Sequence, residues 1–275
     1  MQIFNQTYLV KYLSSMKLFI KNFFKSLFLF SSQFGFNPKK LISLKNYLRF
    51  RKDRKEWIKK GGIITHNYMM LSDYDSKAGN AKGHYFHQDL LVARFIFENQ
   101  PKRHLDIGSR VDGFVAHVAS FRKIEVADVR PLDNLTCENI KFIKADLMKP
   151  NDLGKTDSIS CLHAIEHFGL GRYTDPIDIE GHNKGITNLV NLVCKDGYLY
   201  ISFPVGQNDE IHFNAHRVFK VDTILKHSSI IKEMRLIRFD YVDDEGNLHR
   251  NTSVENFDKT IKYGCGIYTF RKTND

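Results

Sequence analysis

The chain has 275 residues, of which 42% are hydrophobic, and its formal net charge is +10. This length suffices for one full core plus an extension, and it is short for two equal domains. The charge is uneven: residues 1–60 hold fourteen Lys and Arg residues against Asp53 and Glu56, a net charge of +12, whereas the remainder carries −2. An acidic partner would therefore meet the first 60 residues. The near-neutral domain carries no sign of nucleic-acid binding.

The four cysteines are far apart and form no CxxC or CxxH pair; they are Cys137, Cys161, Cys194 and Cys265. This spacing argues against a zinc site and against a disulfide-stapled secreted fold. Residues 1–36 also lack the ordered segments of a signal peptide. We therefore expect a cytoplasmic protein and assign no metal.

Residues 1–60 are predicted to form a basic amphipathic helical extension. Four lysines, Lys11, Lys17, Lys21 and Lys25, interrupt its apolar residues, so no uncharged stretch reaches the roughly 18–20 residues that cross a bilayer. On a helical wheel these lysines share one arc, and the residues largely opposite are Ile20, Phe23, Phe24, Leu27 and Phe30. We favour peripheral contact of residues 8–60 with an anionic membrane at the inner face of the cell membrane. The alternative is that the apolar side packs on the domain.

Residues 61–83 are predicted to be a loop or lid, and residues 84–275 the main domain. Hydrophobic periodicity predicts helices over 85–98, 114–121, 185–193 and 223–227. It predicts strands over 104–108, 123–129, 140–145, 158–162, 197–203, 234–242 and 266–271. Alternating strands and helices indicate an α/β fold of the Rossmann-like, doubly wound class. We expect a seven-stranded, mostly parallel sheet whose last strand is antiparallel.

Polar residues follow the first three predicted strands. Asp106 and Gly108 end the first strand, and Gly113 leads into a helix, but Arg110 stands where a GxGxxG dinucleotide fingerprint needs glycine. A cofactor without phosphates does not need that glycine series. Asp128, after the second strand, is placed to accept two ribose hydroxyls. Asp146, after the third strand, is placed to meet the exocyclic amine of adenine. Each acid alone is more often a loop cap, but their joint placement predicts a nucleoside pocket.

This combination resembles the cofactor motifs of class I S-adenosylmethionine-dependent methyltransferases. The turn at 195–197 and the stretch at 215–219 are also similar to motifs of that superfamily, and the resemblance covers about residues 84–272. It implies S-adenosyl-L-methionine as the cofactor. The residues expected to hold it are Asp106, Gly108, Ser109, Gly113, Asp128, Val129, Asp146, Leu147 and His163.

Longer strings are similar to a narrower family, called domain of unknown function 268. They read GHYFHQDLLVARFIFE, DIGSRVDGFVAHVASF, LHAIEHFGLGRYTDPID, FNAHRVF and YGCGI. Bacterial members of that family often sit among surface-polysaccharide genes, so the resemblance implies a glycan substrate.

Glu166 and His167 follow the fourth strand, where the resemblance places the methyl group. Transfer to a hydroxyl requires alignment of the acceptor and removal of its proton by a base that titrates near neutrality. We predict His167 as the base, with Glu166 orienting or replacing it. The alternative is that both residues begin a helix and serve a structural role.

Further polar residues near the strand ends are predicted to contact substrate: His84, His87, Arg172, Asp175, Asn214, His216 and Arg217. Arg172 and Arg217 suit an anionic sugar or a phosphate. A divalent metal site is the alternative for the histidines, because His84 and His87 share a helix face. Substrate contact is the more common use of such residues.

Together these features predict an O-methyltransferase that acts on a sugar hydroxyl of a surface-polysaccharide precursor. One rival is a non-catalytic, membrane-associated cofactor-binding module of a glycan biosynthesis complex. A second rival is a nucleotide-sugar oxidoreductase, against which the missing GxGxxG and the missing Tyr-x-x-x-Lys dyad count.

Overall fold

The computed structural model describes residues 16, 20, 23, 26–28, 30, 31, 34, 35, 38–133 and 135–273. The chain divides into two compact units, Met1–Asn80 and Ala81–Asp275. Among the described residues, every helix is too short or too polar to cross a membrane.

The first unit is helical and then irregular. It contains a 3₁₀ helix over Pro38–Asn46, helix α1 over Tyr47–Lys59 and a second 3₁₀ turn over Asp73–Asp75. The Asn46 side-chain amide joins the irregular part to the helices, because it donates to the Leu71 carbonyl at 3.0 Å and to Asp75 at 2.7 Å. Of the predicted amphipathic stretch, Ile20, Phe23, Leu27 and Phe30 are exposed. Its other residues, Lys11, Lys17, Lys21, Phe24 and Lys25, lie outside the described residues.

The second unit alternates helices and strands. Its helices are α2 (His84–Asn99), a π-helical turn (Val111–Val115) continued by α3 (Ala116–Ala119), α4 (Gly181–Leu192) and α5 (Ser228–Glu233). Short 3₁₀ helices cover Ile165–His167, Ile224–Lys226 and Val254–Asn256. The strands are β1 (His104–Ile107), β2 (Ile124–Asp128), β3 (Ile140–Lys144), β4 (Thr156–Leu162), β5 (Val193–Gly206), β6 (Glu210–His212), β7 (His216–Lys220), β8 (Met234–Val242), β9 (Leu248–Thr252) and β10 (Gly264–Lys272).

These strands form one sheet in the order β3-β2-β1-β4-β5-β10-β8-β9, and a β6–β7 hairpin joins it through β5. Strands β3, β2, β1, β4 and β5 are parallel, whereas β10 is antiparallel to both of its neighbours, β5 and β8. The fold is therefore Rossmann-like, and the predicted antiparallel last strand is confirmed.

The predicted strand count is wrong, because the described residues contain ten strands. The three additional strands are β6, β7 and β9. β6 and β9 are short and mostly exposed, and the buried part of β7 is only three residues long and includes Arg217, so none of them has the apolar run on which the prediction relied. The helix predicted over 223–227 is a 3₁₀ turn followed by α5.

Helices pack on both faces of the sheet, so the strand ends lie between two helical layers. On one face Leu105 and Ile107 of β1 join a core with Leu189 of α4, and on the other Val126 of β2 joins Val92 of α2. Alternation along β10 sends Tyr268 to the first core and Cys265 to the second. The carboxyl ends of β1 to β4 consequently share one edge of the sheet, between the two helical layers.

Candidate functional site

A cavity of about 740 Å³ opens at the carboxyl ends of β1 to β4. Its volume lies in the range of small-molecule and cofactor pockets. The predicted cofactor residues that line it are Gly108, Asp128, Val129, Asp146, Leu147 and His163, and the predicted catalytic pair Glu166 and His167 also lines it. The topology therefore brings together residues from four strand ends that are up to 60 positions apart in the chain.

Gly108 allows the loop after β1 to approach the end of β4. Its φ of +70° favours glycine, and a Cβ there would lie 3.0 Å from the Cβ of Ala164. The next residue, Ser109, completes the junction, because its Oγ accepts a hydrogen bond from the Leu162 amide at 3.1 Å. The first and fourth strand ends are thus joined directly beneath the cavity.

Asp106 lies under this loop and not in the cavity wall. Its carboxylate accepts hydrogen bonds from Ser109 Oγ at 2.6 Å, from the Ser109 amide at 3.0 Å and from Ser160 Oγ at 2.5 Å. Burial raises the pKa of Asp106 to about 7, although these donors act to lower it. Asp106 therefore holds the loop after β1 in place through these hydrogen bonds. Ser109 and Gly113, also predicted to bind cofactor, lie outside the lining; a Cβ on Gly113 would be 2.8 Å from the Asp89 carboxylate.

The two acids after β2 and β3 do face the cavity, and both have cationic partners. Asp128 is held by the Arg130 guanidinium through Nε at 3.0 Å and Nη2 at 2.6 Å. That guanidinium also lies 4.3 Å from the centre of the Tyr173 ring. Asp146 accepts from the Met148 amide at 2.9 Å and forms an ion pair with Lys149 at 3.3 Å. A ribose that bound Asp128 would have to share this carboxylate with Arg130.

Glu166 and His163 form a buried pair at the end of β4. His163 Nδ1 lies 2.7 Å from Glu166 Oε1, and both side chains are at least 95% buried. Burial alone would lower the pKa of His163, but Cys265 and the Glu166 carboxylate raise it well above its ordinary value. Burial would raise the pKa of Glu166, but His163 and then His167 bring it below its ordinary value. Glu166 Oε2 and His163 Nε2 are buried and make no hydrogen bond.

His167 is oriented by the backbone of the loop before β7. Its Nδ1 lies 2.7 Å from the Ala215 carbonyl oxygen, so in the neutral ring Nδ1 carries the proton and Nε2 keeps its lone pair. Nε2 is 3.7 Å from Glu166 Oε1. Burial lowers the pKa of His167, Glu166 opposes this effect and Arg172 adds to it. The ring is therefore neutral at neutral pH and can accept a proton at Nε2.

Two of the predicted substrate residues are engaged in holding loops. Arg217 is buried, and its Nη1 donates to the Phe168 carbonyl at 2.7 Å and to the Glu166 carbonyl at 3.3 Å. Asp175 accepts hydrogen bonds from the amides of Gly169, Gly171 and Tyr173 while it also lines the cavity. Arg217 is thus a positioning residue for Glu166 and His167.

Of the other predicted substrate residues, His84, Arg172 and His216 line the cavity, whereas His87 and Asn214 do not. The structure adds Arg110, Arg130, Tyr173 and Tyr263 to the lining. Tyr263 stands in the YGCGI string, and Arg110 in the glycine loop, so both lay in segments that the sequence had singled out. Tyr173 stands in the LHAIEHFGLGRYTDPID string, whereas nothing in the sequence pattern marks Arg130, because cationic loop residues are common at any surface.

The strand order and the cavity define a Rossmann-like α/β domain with a small-molecule pocket. Residues 140–248 match the model of the family described as "Caenorhabditis protein of unknown function, DUF268". The quoted strings predicted a match to this family, and that prediction is confirmed over these residues. No curated protein matches the chain in sequence.

Solved structures that resemble the fold include several methyltransferases. The N-methyltransferase NodS from Bradyrhizobium japonicum, in complex with S-adenosyl-L-homocysteine, is 12% identical over 70% of this chain and 89% of its own, with a TM-score of 0.47. A S-adenosylmethionine-dependent methyltransferase from Clostridium acetobutylicum is 13% identical over 82% and 99%, with a TM-score of 0.45. The 1,6-didemethyltoxoflavin-N1-methyltransferase from Burkholderia thailandensis is 12% identical over 84% and 90%, with a TM-score of 0.45. The fold assignment itself rests on the strand order given above.

Proposed function

We propose that this protein is an S-adenosyl-L-methionine-dependent methyltransferase that methylates a sugar hydroxyl of a surface-polysaccharide precursor. The observation that carries the proposal is one cavity whose lining holds Gly108, Asp128 and Asp146 together with His167. A nucleoside end and a proton acceptor are the two parts that such a reaction needs.

The residues after β1 to β3 suit the cofactor. Gly108 lets the backbone approach a ligand closely, Asp128 can accept ribose hydroxyls, and Asp146 can accept a hydrogen bond from adenine. When bound, S-adenosyl-L-methionine supplies a methyl group already activated by its sulfonium. The protein must then align the acceptor oxygen and take its proton.

His167 is the group placed to take that proton. Its Nδ1 is occupied by the Ala215 carbonyl, which leaves Nε2 as the acceptor, and Glu166 lies 3.7 Å from Nε2 to stabilise the imidazolium that forms. Arg217 holds the backbone on both sides of His167 through the Glu166 and Phe168 carbonyls. Glu166 acts through His167 in this scheme.

Arg172 in the lining favours an acceptor that carries negative charge, such as an acidic sugar or a sugar phosphate. Arg130 is paired with Asp128 and Arg110 with Asp112, whereas Arg172 has no carboxylate partner among the described residues, and its Nη1 reaches the Ala215 carbonyl at 2.9 Å beside His167. A planar guanidinium binds carboxylate or phosphate through two donors. The glycan class follows the family resemblance stated above.

Binding and turnover test the proposal separately. Isothermal titration with S-adenosyl-L-methionine and S-adenosyl-L-homocysteine should give one site per chain, which Asp128→Asn weakens at least tenfold. Nicotinamide cofactors should not bind. Mass spectrometry should show that the polysaccharide of cells without the protein lacks one methyl group per repeat, compared with that of cells that contain it. Unchanged polysaccharide together with intact cofactor binding would instead favour a non-catalytic cofactor-binding module.

We also propose that residues 8–60 place the enzyme at an anionic membrane. Described apolar side chains in this region are exposed, including Phe34, Leu48 and Trp57. Helix α1 has no buried residue and carries six Lys and Arg residues. Aromatic and apolar side chains beside cations suit the headgroup region of a bilayer.

A further inference from the structure

Three side chains from distant segments meet at the edge of the cavity. His84 is the first residue of α2, His163 follows β4, and Cys265 lies near the start of β10. One donor atom from each residue lies within 4.8 Å of the other two. The His84 and His163 rings are stacked, with centroids 5.2 Å apart and planes 10° from parallel. Imidazole nitrogen and sulfur are therefore gathered at one point.

The hydrogen bonds of His163 direct one nitrogen toward this point. Nδ1 lies 2.7 Å from the Glu166 carboxylate, so Nε2 is the ring nitrogen that remains to bind a metal ion. Nε2 is buried without a hydrogen bond, in a side chain that is 95% buried. Metal-binding histidines in proteins commonly bind a carboxylate through the second ring nitrogen, as His163 does. His163 also interacts with the Cys265 side chain, and a metal ion held between the imidazole nitrogen and the sulfur would satisfy both groups.

The thiol has its own buried support. Cys265 is fully buried, and its Sγ donates to Gln88 Oε1 at 3.6 Å, while the same oxygen accepts from Ser202 Oγ at 2.6 Å. His84 and His163 line the cavity, and Cys265 lies behind them. The open side of the cluster therefore faces the cavity.

We propose that His84, His163 and Cys265 bind a divalent metal ion of the zinc class, with one coordination position open to the cavity. Two imidazoles and a thiolate select zinc and similar borderline ions over Mg²⁺ or Ca²⁺, which prefer oxygen ligands. Metal–ligand bonds of about 2.0–2.3 Å place tetrahedral donors about 3.3–3.6 Å apart. The side chains must then approach by roughly 1 Å from the spread seen here.

This metal site shares the cavity of the proposed methyl transfer, but its test measures metal binding alone, so the two proposals can fail separately. It differs from the histidine site considered in the sequence, since His87 and His216 do not join it. Among the described residues, this is the one group of three His, Cys or acidic side chains whose potential ligand atoms all lie within 4.8 Å of one another. An ion at this position would hold an oxygen atom of a substrate at the cavity wall.

The full chain, stripped with a chelator and dialysed against zinc, should retain one ion per chain by elemental mass spectrometry. With Co²⁺ in place of zinc, a thiolate-to-cobalt charge-transfer absorption should appear together with visible bands of a four-coordinate ion. Wild-type protein that retains no zinc, or a cobalt complex without the thiolate absorption, would overturn the proposal.

Matched variants locate the ligands. Cys265→Ser and His84→Asn should each weaken zinc binding at least about 100-fold in a chelator competition. The controls are Cys161→Ser, which removes another fully buried thiol, and His87→Asn, one turn along α2; both should bind zinc as the wild type does. His84→Asn replaces a partly exposed side chain, so it remains informative if Cys265→Ser fails to fold. Equal loss in a variant and its folded control would refute the assignment.

Discussion

At the scale of single residues, His167 governs the proposed turnover. His167→Gln should lower the rate of methyl transfer at least about 100-fold, because the proton acceptor is lost. The affinity for S-adenosyl-L-homocysteine should stay within a factor of three, since the proposed role of His167 is to take the proton of the acceptor and not to hold the cofactor. Initial rates and isothermal titration check the two expectations. The exposed His66→Gln serves as a control, and full turnover in His167→Gln would remove this residue from the mechanism.

The pH dependence of the same reaction follows from the burial of His167. Burial places its pKa below the ordinary 6.5, so the ring becomes a competent base as pH rises through that lower value. We expect kcat to rise with pH on an acid limb below pH 6.5 and to level off near neutrality. Glu166 opposes the shift and Arg172 reinforces it, so Arg172→Met should move the limb to higher pH. A limb that Arg172→Met leaves unmoved would contradict the assignment.

Asp106 makes a separate prediction about stability. Its pKa of about 7 in the folded state exceeds the ordinary 3.8, so the folded state binds the proton more tightly. The associated stabilisation is fully present below pH 3.8 and is lost as pH rises through 7, by about 4 kcal/mol at most. The free energy of unfolding of wild type relative to Asp106→Asn should therefore fall between pH 4 and pH 7. Urea unfolding at four pH values measures it, and parallel curves would count against a buried, protonated Asp106.

The sequence identified most residues of the cavity but not the directions of their side chains. Asp128, Asp146 and His167 were found because they lie at a strand end or within five residues after one, and strand ends converge at one edge. Asp106 also ends a strand, yet it bonds Ser160 inside the sheet, which spacing along one strand cannot reveal. The group of His84, His163 and Cys265 was not predicted, for a related reason. Cysteine spacing tests only local pairs, whereas Cys265 meets two histidines more than 100 residues away.

At the scale of elements, the junction between the β1 and β4 loops should control cofactor affinity. Gly108→Ala adds a Cβ at a φ of +70° and 3.0 Å from Ala164, so it should cost about 1–2 kcal/mol of stability and weaken cofactor binding at least tenfold. Gly154→Ala has the same φ, but its new Cβ would meet only Arg103 at 3.5 Å. It should cost similar stability and leave cofactor affinity unchanged. Chemical denaturation and titration of both variants separate backbone strain from the contact with Ala164.

Two long elements, β8 and α2, were predicted closely, whereas the β6–β7 hairpin was not predicted. Strand β8 was predicted at its observed bounds, and α2 to within one residue at each end. In both elements the apolar pattern continues over nine or more residues, which makes it easy to recognise. The β6–β7 hairpin was not predicted, because all three residues of β6 are exposed and show no alternation between buried and exposed side chains. This hairpin matters for the site, because its second strand carries His216 and Arg217 and its turn carries Ala215, the partner of His167.

At the scale of the whole molecule, the net positive charge is concentrated in the first unit, since residues 1–60 carry +12 and the remaining residues −2. We expect the full chain to float with anionic vesicles and not with neutral ones. Replacing Arg51, Lys52, Lys55 and Lys59 by Gln should lower the bound fraction at least tenfold, since each cation near the surface contributes about 1 kcal/mol. Replacing four exposed lysines of the second unit, Lys102, Lys123, Lys144 and Lys195, removes the same charge and should change binding little. Equal losses would show a general effect of net charge and end the membrane proposal.

The place of β10 in the sheet has a consequence for how this protein is made. β10 is the last strand along the chain, yet it lies between β5 and β8, with Tyr268 paired to Ile201 on one side and to Phe239 on the other. Until β10 is synthesised, β5 and β8 both present unpaired apolar edges, a state prone to aggregation. Folding must therefore wait for residues 264–272, and it is slow because it joins segments far apart in sequence. Expression at low temperature or with chaperones should raise the soluble yield more than any change at the surface.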